Sequence, residues 1–473
     1  MKRLTGWDAF LLYSEAPNVH MHTLKIAIVE LGDLGERTFG VEQFREVIRG
    51  RLPKLYPLRY QLVDIPWKFH HPMWREHVEV DLEYHIRPLR LPAPGGRREL
   101  DDAIAEIAGT PLDRSKPLWE MYFVEGLEGG RIAIVNKIHH ALADGVAAAN
   151  LLAHGMDLRT GPIGAEVDDA IDPPPTRRQL IRSAWSDHFR HLAEVPSTIG
   201  YTVAGLNRVR RSSRKLAPDL TRPFTPPPSF MNHVLTPERR FATASLSLAD
   251  IKETKAHLDI SINDLVLAMS AGALRKLSLR YDGHADSPLL ASVPVSFDFS
   301  SDRVCGNYFT GVMMPVPIHL DDPLERVRQT HEDALLAKET NLLIGPELVS
   351  RWSNYMPPAA MESLFAWLSK IDGPNKVLNL NISNVPGPRE YGRVGEAVVS
   401  ELYSVGPVTA AAGLNITVWS YVDQLNISVL SDLDTVEDAH EVTSAMVDEF
   451  VEIRRAAGLS EELTRVPLAM GPA

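Results

Sequence analysis

The stretch RIAIVNKIHHALADGVAAANLLAHG, residues 131–155, constrains the fold more than any other part of the chain. Its first ten residues lack the apolar–polar alternation of a half-solvated strand, so they read as a strand buried on both faces. The run from Gly145 reads as a helix, with Asp144 standing where an N-cap belongs. A buried strand that turns directly into a helix is the pattern of an α/β sheet. The preceding segments agree: TLKIAIVEL reads as a strand, and VEQFREVIRGRL and LDDAIAEIAGTPL read as helices.

A second α/β pattern begins near residue 238. ERRFATASLSL, LLASVPVSF, NYFTGVMMPVPIHL and KVLNLNISNVPGP read as strands, and DIKETKAHLD and SINDLVLAMSAGALRKLSLRY as helices. AAGLNITVWSYVDQLNISVLSDL reads as a hairpin turning at Asp423-Gln424, before a last helix in VEDAHEVTSAMVDEFVEIRRAAG. A chain of 473 residues exceeds one ordinary core. We therefore expect an N-terminal domain over 1–170, a linker over 171–237 and a C-terminal domain over 238–473.

The linker is bracketed by the proline-rich IDPPPTRRQ and TRPFTPPPSF. Residues 176–222 hold ten Arg and Lys against Asp187, Glu194 and Asp219. Ile181, Ala184, Trp185, His188, Phe189, Leu192 and Val195 recur at helical spacing, which predicts an amphipathic helix with basic flanks. Such a helix packs its stripe on a domain, or rests on a membrane or lipid-droplet surface.

The net charge of −12 argues against nucleic acid as a partner. A single cysteine, Cys305, excludes an intrachain disulfide and a zinc–thiolate cluster, and it reads as a small buried hydrophobe. Asp8 and Glu15 interrupt the N-terminal apolar run, so no export is expected. Leu402–Val422 is uncharged and long enough to span a membrane, but Gly406-Pro407, Gly413 and Asn415 favour a pair of buried strands. The expected location is cytoplasmic, with peripheral association on the inner membrane face or lipid droplets.

Chemistry concentrates at His139 and His140. Strand alternation sends them to opposite faces, so one metal ion cannot take both, and no HExxH or third ligand at a familiar spacing accompanies them. They can be satisfied core residues beside a helix cap, or part of a catalytic centre. The second reading gains from their position at a strand's C-terminal end and from Gly145, which permits close approach. A neutral imidazole is a natural base for an alcohol or amine nucleophile. The chain has no GxSxG elbow, Walker loop or GxGxxG, which favours direct transfer without a covalent enzyme intermediate.

HHxxxDG, here His139, His140, Asp144 and Gly145, resembles the signature of the coenzyme A-dependent acyltransferase superfamily. PLDRSKPLWEMYFVEGL, SINDLVLA, ASVPVS, SNVPGP and the opening WDAFLLYSEAPNVHMH are similar, in order, to blocks of the bacterial wax ester synthase/diacylglycerol acyltransferase family. The resemblance implies two chloramphenicol-acetyltransferase-like domains, each a mixed sheet flanked by helices, with the active site in an interdomain tunnel. It implies His140 as general base, His139, Asp144 and Gly145 as its support, and acyl-CoA as co-substrate with no bound cofactor or metal. The acceptor would be diacylglycerol or a long-chain alcohol. Pro117, Leu118 and Trp119 are expected to shape a strand entry and the core, and Asn263 and Asp264 to cap a helix and brace the interface. One departure stands out: PVSFDF places Asp298 where the family pattern has Arg, with Arg303 five residues on. That departure keeps open a catalytically weak, lipid-binding relative, and transfer to a specialised alcohol or amine is a further alternative.

Overall fold

The computed structural model describes residues 1–32, 39–155, 170–212, 226–300, 302–371 and 377–467. Residues 213–225 of the expected linker lie outside these. Two six-stranded mixed sheets organise the molecule. Across the N-terminal sheet the order is Arg393–Val394, Ala397–Val405, His22–Glu30, Arg131–His139, Trp119–Leu127 and Ile86–Arg90. Across the other it is Phe309–Val316, Leu289–Ser296, Leu380–Pro386, Leu414–Tyr421, Gln424–Asp432 and Arg239–Ser247. Each sheet contains parallel and antiparallel pairs, and helices cover them.

Strand Arg131–His139, which leads into the HHxxxDG turn, lies at the centre of the first sheet. Arg131–His139 pairs with His22–Glu30 on one side and Trp119–Leu127 on the other, and His22 stands opposite His139. Both strands are buried almost throughout, which is why neither shows alternating polarity.

Two features differ from the linear reading. Leu402–Val422 does contain two buried strands, but they belong to different sheets. Ala397–Val405 pairs antiparallel with His22–Glu30, whereas Leu414–Tyr421 pairs within the C-terminal sheet. A division of the chain at residue 238 therefore does not separate the sheets, because the later segment lends a strand to the earlier one. The hairpin turns one residue earlier than expected, at Val422-Asp423, since Tyr421 pairs with Gln424. Val422 has φ +52°, an uncommon state for a β-branched residue, and its N–H donates to the Pro388 carbonyl at 3.0 Å. Tertiary contact, not turn-residue chemistry, sets that bend.

A buried polar clasp joins the lobes. On helix Arg97–Gly109, Arg97 donates to Glu401 Oε2 at 3.0 Å and to Thr243 Oγ1 at 2.8 Å. Asp101, on the same helix, accepts from Thr243 and lies 3.1 Å from His440 Nε2.

Candidate active site

His139 closes its strand, and His140 opens the turn that follows. Their surroundings differ completely. His139 is fully buried; its Nδ1 accepts from the Ala141 N–H at 3.0 Å, which puts the proton of the neutral ring on Nε2. That nitrogen faces Glu15 Oε2 at 3.7 Å, and Arg114 donates to the same carboxylate at 2.6 Å. Burial alone would raise the Glu15 carboxyl, but His139 and Arg114 hold it well below the usual range.

His140 is only half-buried and turns towards the C-terminal lobe. Its Nδ1 lies 3.0 Å from Asn307 Oδ1. The Asn307 amide nitrogen donates to Asp8 Oδ1 and to the His140 carbonyl, each at 2.8 Å. With both amide hydrogens directed at acceptors, the Asn307 oxygen is what meets the ring. His140 Nδ1 must then be the donor, and Nε2 keeps its lone pair. Burial pulls the His140 pKa down to about 4, against smaller raising effects from its own carbonyl, Asp144 and Asn307. The ring is therefore neutral near pH 7.

Asp144 does two jobs. Its Oδ1 accepts from Ala147 N at 2.9 Å, capping the helix Gly145–Gly155. The same carboxylate accepts from Arg303 Nη2 at 3.0 Å and Tyr308 N at 2.8 Å. Arg303 also donates to the carbonyls of Asp298 and Gly306, and its Nε lies 3.4 Å from Asp298 Oδ2. The guanidinium thus comes from position 303, and Asp298 anchors it. Gly306 N donates to the Leu142 carbonyl at 2.7 Å, and Asp144 N donates to Gly306 O at 3.2 Å. Gly306 holds φ +80°, and a Cβ there would come within 3.2 Å of the Tyr308 ring. Residues 303–308 of one lobe therefore wrap the HHxxxDG turn of the other.

Other residues singled out in the sequence fall into two groups. Gly145 meets the SNVPGP block: a Cβ on it would lie 3.3 Å from Val385 Cγ2. Leu118 accepts from the His139 N–H at 3.0 Å, and buried Trp119 donates to the Leu58 carbonyl and stacks on His85. Pro117, also buried, bridges to Gln61. Asp264 is not brought to His140. It forms a capping box with Ser261 and bonds His331 Nδ1 at 2.8 Å, while Asn263 sits half-buried in the same first turn. Cys305 is half-buried, and burial pushes its thiol up.

No linear motif marks Asn307, Asp8 or Lys25 as part of this site. Lys25 stands on the same sheet face as Asn136, its opposite number in the register, and bonds Ser404 Oγ at 2.7 Å above the Trp419 ring. Burial draws its pKa down to about 7. Among the described residues, no cluster of three or more His, Cys, Asp or Glu is arranged to hold a metal ion.

Two lobes of mixed sheet meeting at an HHxxxDG turn define an acyltransferase of the coenzyme A-dependent type, and relatives narrow the class. The catalytic domain of the wax ester synthase/diacylglycerol acyltransferase family matches residues 4–266, and its C-terminal domain matches residues 305–454. A Mycobacterium tuberculosis H37Rv protein named as a diacylglycerol O-acyltransferase is 68% identical over 474 residues, covering 100% of both chains. A solved wax ester synthase/diacylglycerol acyltransferase from Marinobacter aquaeolei VT8 shares the fold, with TM-score 0.67 and 23% identity over 97% of this chain and 100% of that one. The first condensation domain of the CDA synthetase does so at TM-score 0.57 and 13% identity, covering 98% and 99%. The chain belongs to the wax ester synthase/diacylglycerol acyltransferase family.

Proposed function

We propose that His140 is the general base in transfer of a long-chain acyl group from acyl-CoA to the hydroxyl of diacylglycerol or a long-chain alcohol. The observation that carries this reading is the Asn307 contact, which leaves Nε2 of a neutral imidazole unprotonated. As the alcohol oxygen attacks the thioester carbonyl carbon, Nε2 takes the hydroxyl proton. The tetrahedral oxyanion then collapses, the carbon–sulfur bond breaks, and the imidazolium returns the proton to the departing CoA thiolate. The products are the ester and free CoA, and the enzyme ends unchanged. Asp144, His139 and Gly145 act on the turn rather than on substrate.

The Arg303–Asp144 pair supports an active enzyme over a silent relative, because the guanidinium that position 298 lacks is supplied from five residues on. The reading extends to a lipid surface as partner, approached through residues 176–222, with the protein cytoplasmic and peripheral. No helix among the described residues is long and apolar enough to cross a membrane. The test is CoA thiol release from palmitoyl-CoA with dioleoylglycerol or hexadecanol. His140→Ala is expected to lower it by about 10²–10⁴. Equal release by both proteins would show that another group is the base.

A further inference from the structure

The expected apolar stripe of the linker helix is split by the structure. Helix Arg177–Ser212 buries Leu180, Ala184, Asp187 and Thr198 against the protein. Trp185, Phe189, Leu192, Ile199, Val203 and Leu206 face outwards, 47–69% exposed. They follow one another at spacings of three, four or seven, which is a continuous stripe on one helix face. The helix carries seven Arg against two acidic residues, although the chain as a whole is at −12. Asp187, one of the two, is tied to Arg3 at 2.7 Å.

The stripe is not alone. Trp67 is 74% exposed at the tip of a turn where both Trp67 and Lys68 hold positive φ, a strained way to present a large apolar side chain. That turn joins two helices: Arg177 lies 4.4 Å over the Trp67 ring, and Lys68 pairs with Glu362. Glu362 belongs to helix Pro358–Leu368, whose Trp367 is 60% exposed.

From that helix a column of rings runs inwards to the base. Phe365 meets Phe10 at 5.2 Å, Phe10 stacks on Trp7 at 5.1 Å, Trp7 meets Phe309 at 5.6 Å, and Phe309 meets the His140 ring at 5.6 Å. All four aromatic side chains are half-buried, so each packs on its neighbours while keeping part of its surface uncovered. The Trp7 indole N–H is buried with no hydrogen-bond partner among the described residues, which leaves a donor for a ligand oxygen.

We propose that this column walls the passage by which lipid chains reach His140, and that its outer end is docked on an anionic lipid surface by the linker-helix stripe, Trp67 and Trp367. The proposal rests on the acyltransferase reading above and adds the side from which lipid enters. A second copy of the chain is the rival occupant, since the seven-residue recurrence of Trp185, Leu192, Ile199 and Leu206 also suits a coiled-coil seam. Apposing two arginine-rich helices is unfavourable, whereas anionic headgroups complement them.

The full-length protein is floated with vesicles of phosphatidylcholine, with and without phosphatidylglycerol. Wild type should float with the anionic vesicles, and the combined Phe189→Ser, Leu192→Ser and Ile199→Ser variant about tenfold less. Phe365→Trp should weaken binding of tritiated hexadecanol in equilibrium dialysis about tenfold. Equal flotation of variant and wild type would overturn the docking, as would a wild-type dimer that the triple variant dissolves. Unchanged hexadecanol binding would overturn the passage. Transfer from palmitoyl-CoA to butan-1-ol is measured in parallel, and its absence in wild type would count against the acyltransferase reading while flotation and dialysis still decide the route.

Discussion

His139 and His140 are neighbours in sequence, yet one sits in a buried ionic pocket and the other meets Asn307 and Phe309 of the C-terminal lobe. Two hydrogen bonds separate their chemistry. At His139 a backbone N–H occupies Nδ1 and pushes the proton to Nε2, towards Glu15. At His140 a side-chain carbonyl accepts from Nδ1 and leaves Nε2 basic. Adjacent imidazoles thus hold opposite tautomers, and only the second has a lone pair to offer a substrate.

Breaking the Asn307 contact should have the largest effect on that contrast. Asn307→Leu is expected to lower kcat/KM about 100-fold with the circular dichroism spectrum retained, because His140 loses its enforced tautomer. Rescue by Asn307→Gln to within a few-fold would not follow from a packing role alone. Arg303→Met should cost about tenfold in kcat, since the Asp144 carboxylate keeps its helix-capping and Tyr308 bonds while losing the guanidinium. Replacing the other histidine sharpens the comparison from the opposite side. His139→Gln should lower unfolding free energy by about 1–3 kcal/mol in urea titration, while activity per folded molecule changes less than about threefold.

The smallest effect within the working range is expected from pH. With His140 held at about 4 by burial, kcat/KM should be flat from pH 8 to 6 and fall only near the folded pKa. Stability should respond sooner. His20 is also held near 4 by burial, so these two rings are neutral in the folded state while the unfolded chain takes up protons near its ordinary 6.5. The unfolded state then binds more protons, and stability is lost as pH falls from about 6.5 towards 4. His440 has the opposite sign. Burial lowers its pKa, but bonds to Asp101 and Asp438 more than offset this, so the net shift is upward. Its contribution is complete below about 6.5 and is lost as pH rises through the folded value. Urea midpoints at pH 5, 6 and 7 for wild type and His440→Gln separate the two: the variant should lose its deficit as pH rises.

Much of the framework was legible in the residues. Uniformly apolar runs marked the central strands, because strands buried on both faces need no polar side. Asp144 before an alanine-rich run marked a helix cap, whereas the pattern kept both histidines in the strand and the structure ends that strand at His139. Other features carried no linear sign. Nothing in CGNYFTG shows that Asn307 will meet a ring 167 residues away, and nothing in AVVSELYSV shows that the strand joins the sheet of the other lobe. The stripe on the linker helix was visible, but periodicity cannot say which side of it meets protein: Ala184 turned in and Trp185 out.

The sequence by itself determined the α/β class and the strand-to-helix turn that carries HHxxxDG. These depend on local periodicity and on side-chain direction along a strand, which a short window contains. Only the tertiary structure decided which nitrogen of His140 is basic, where the guanidinium opposite Asp144 comes from, and which apolar surface stays uncovered. Each of those depends on groups brought together from distant parts of the chain, and hydrogen-bond direction and burial exist only once both partners are in place.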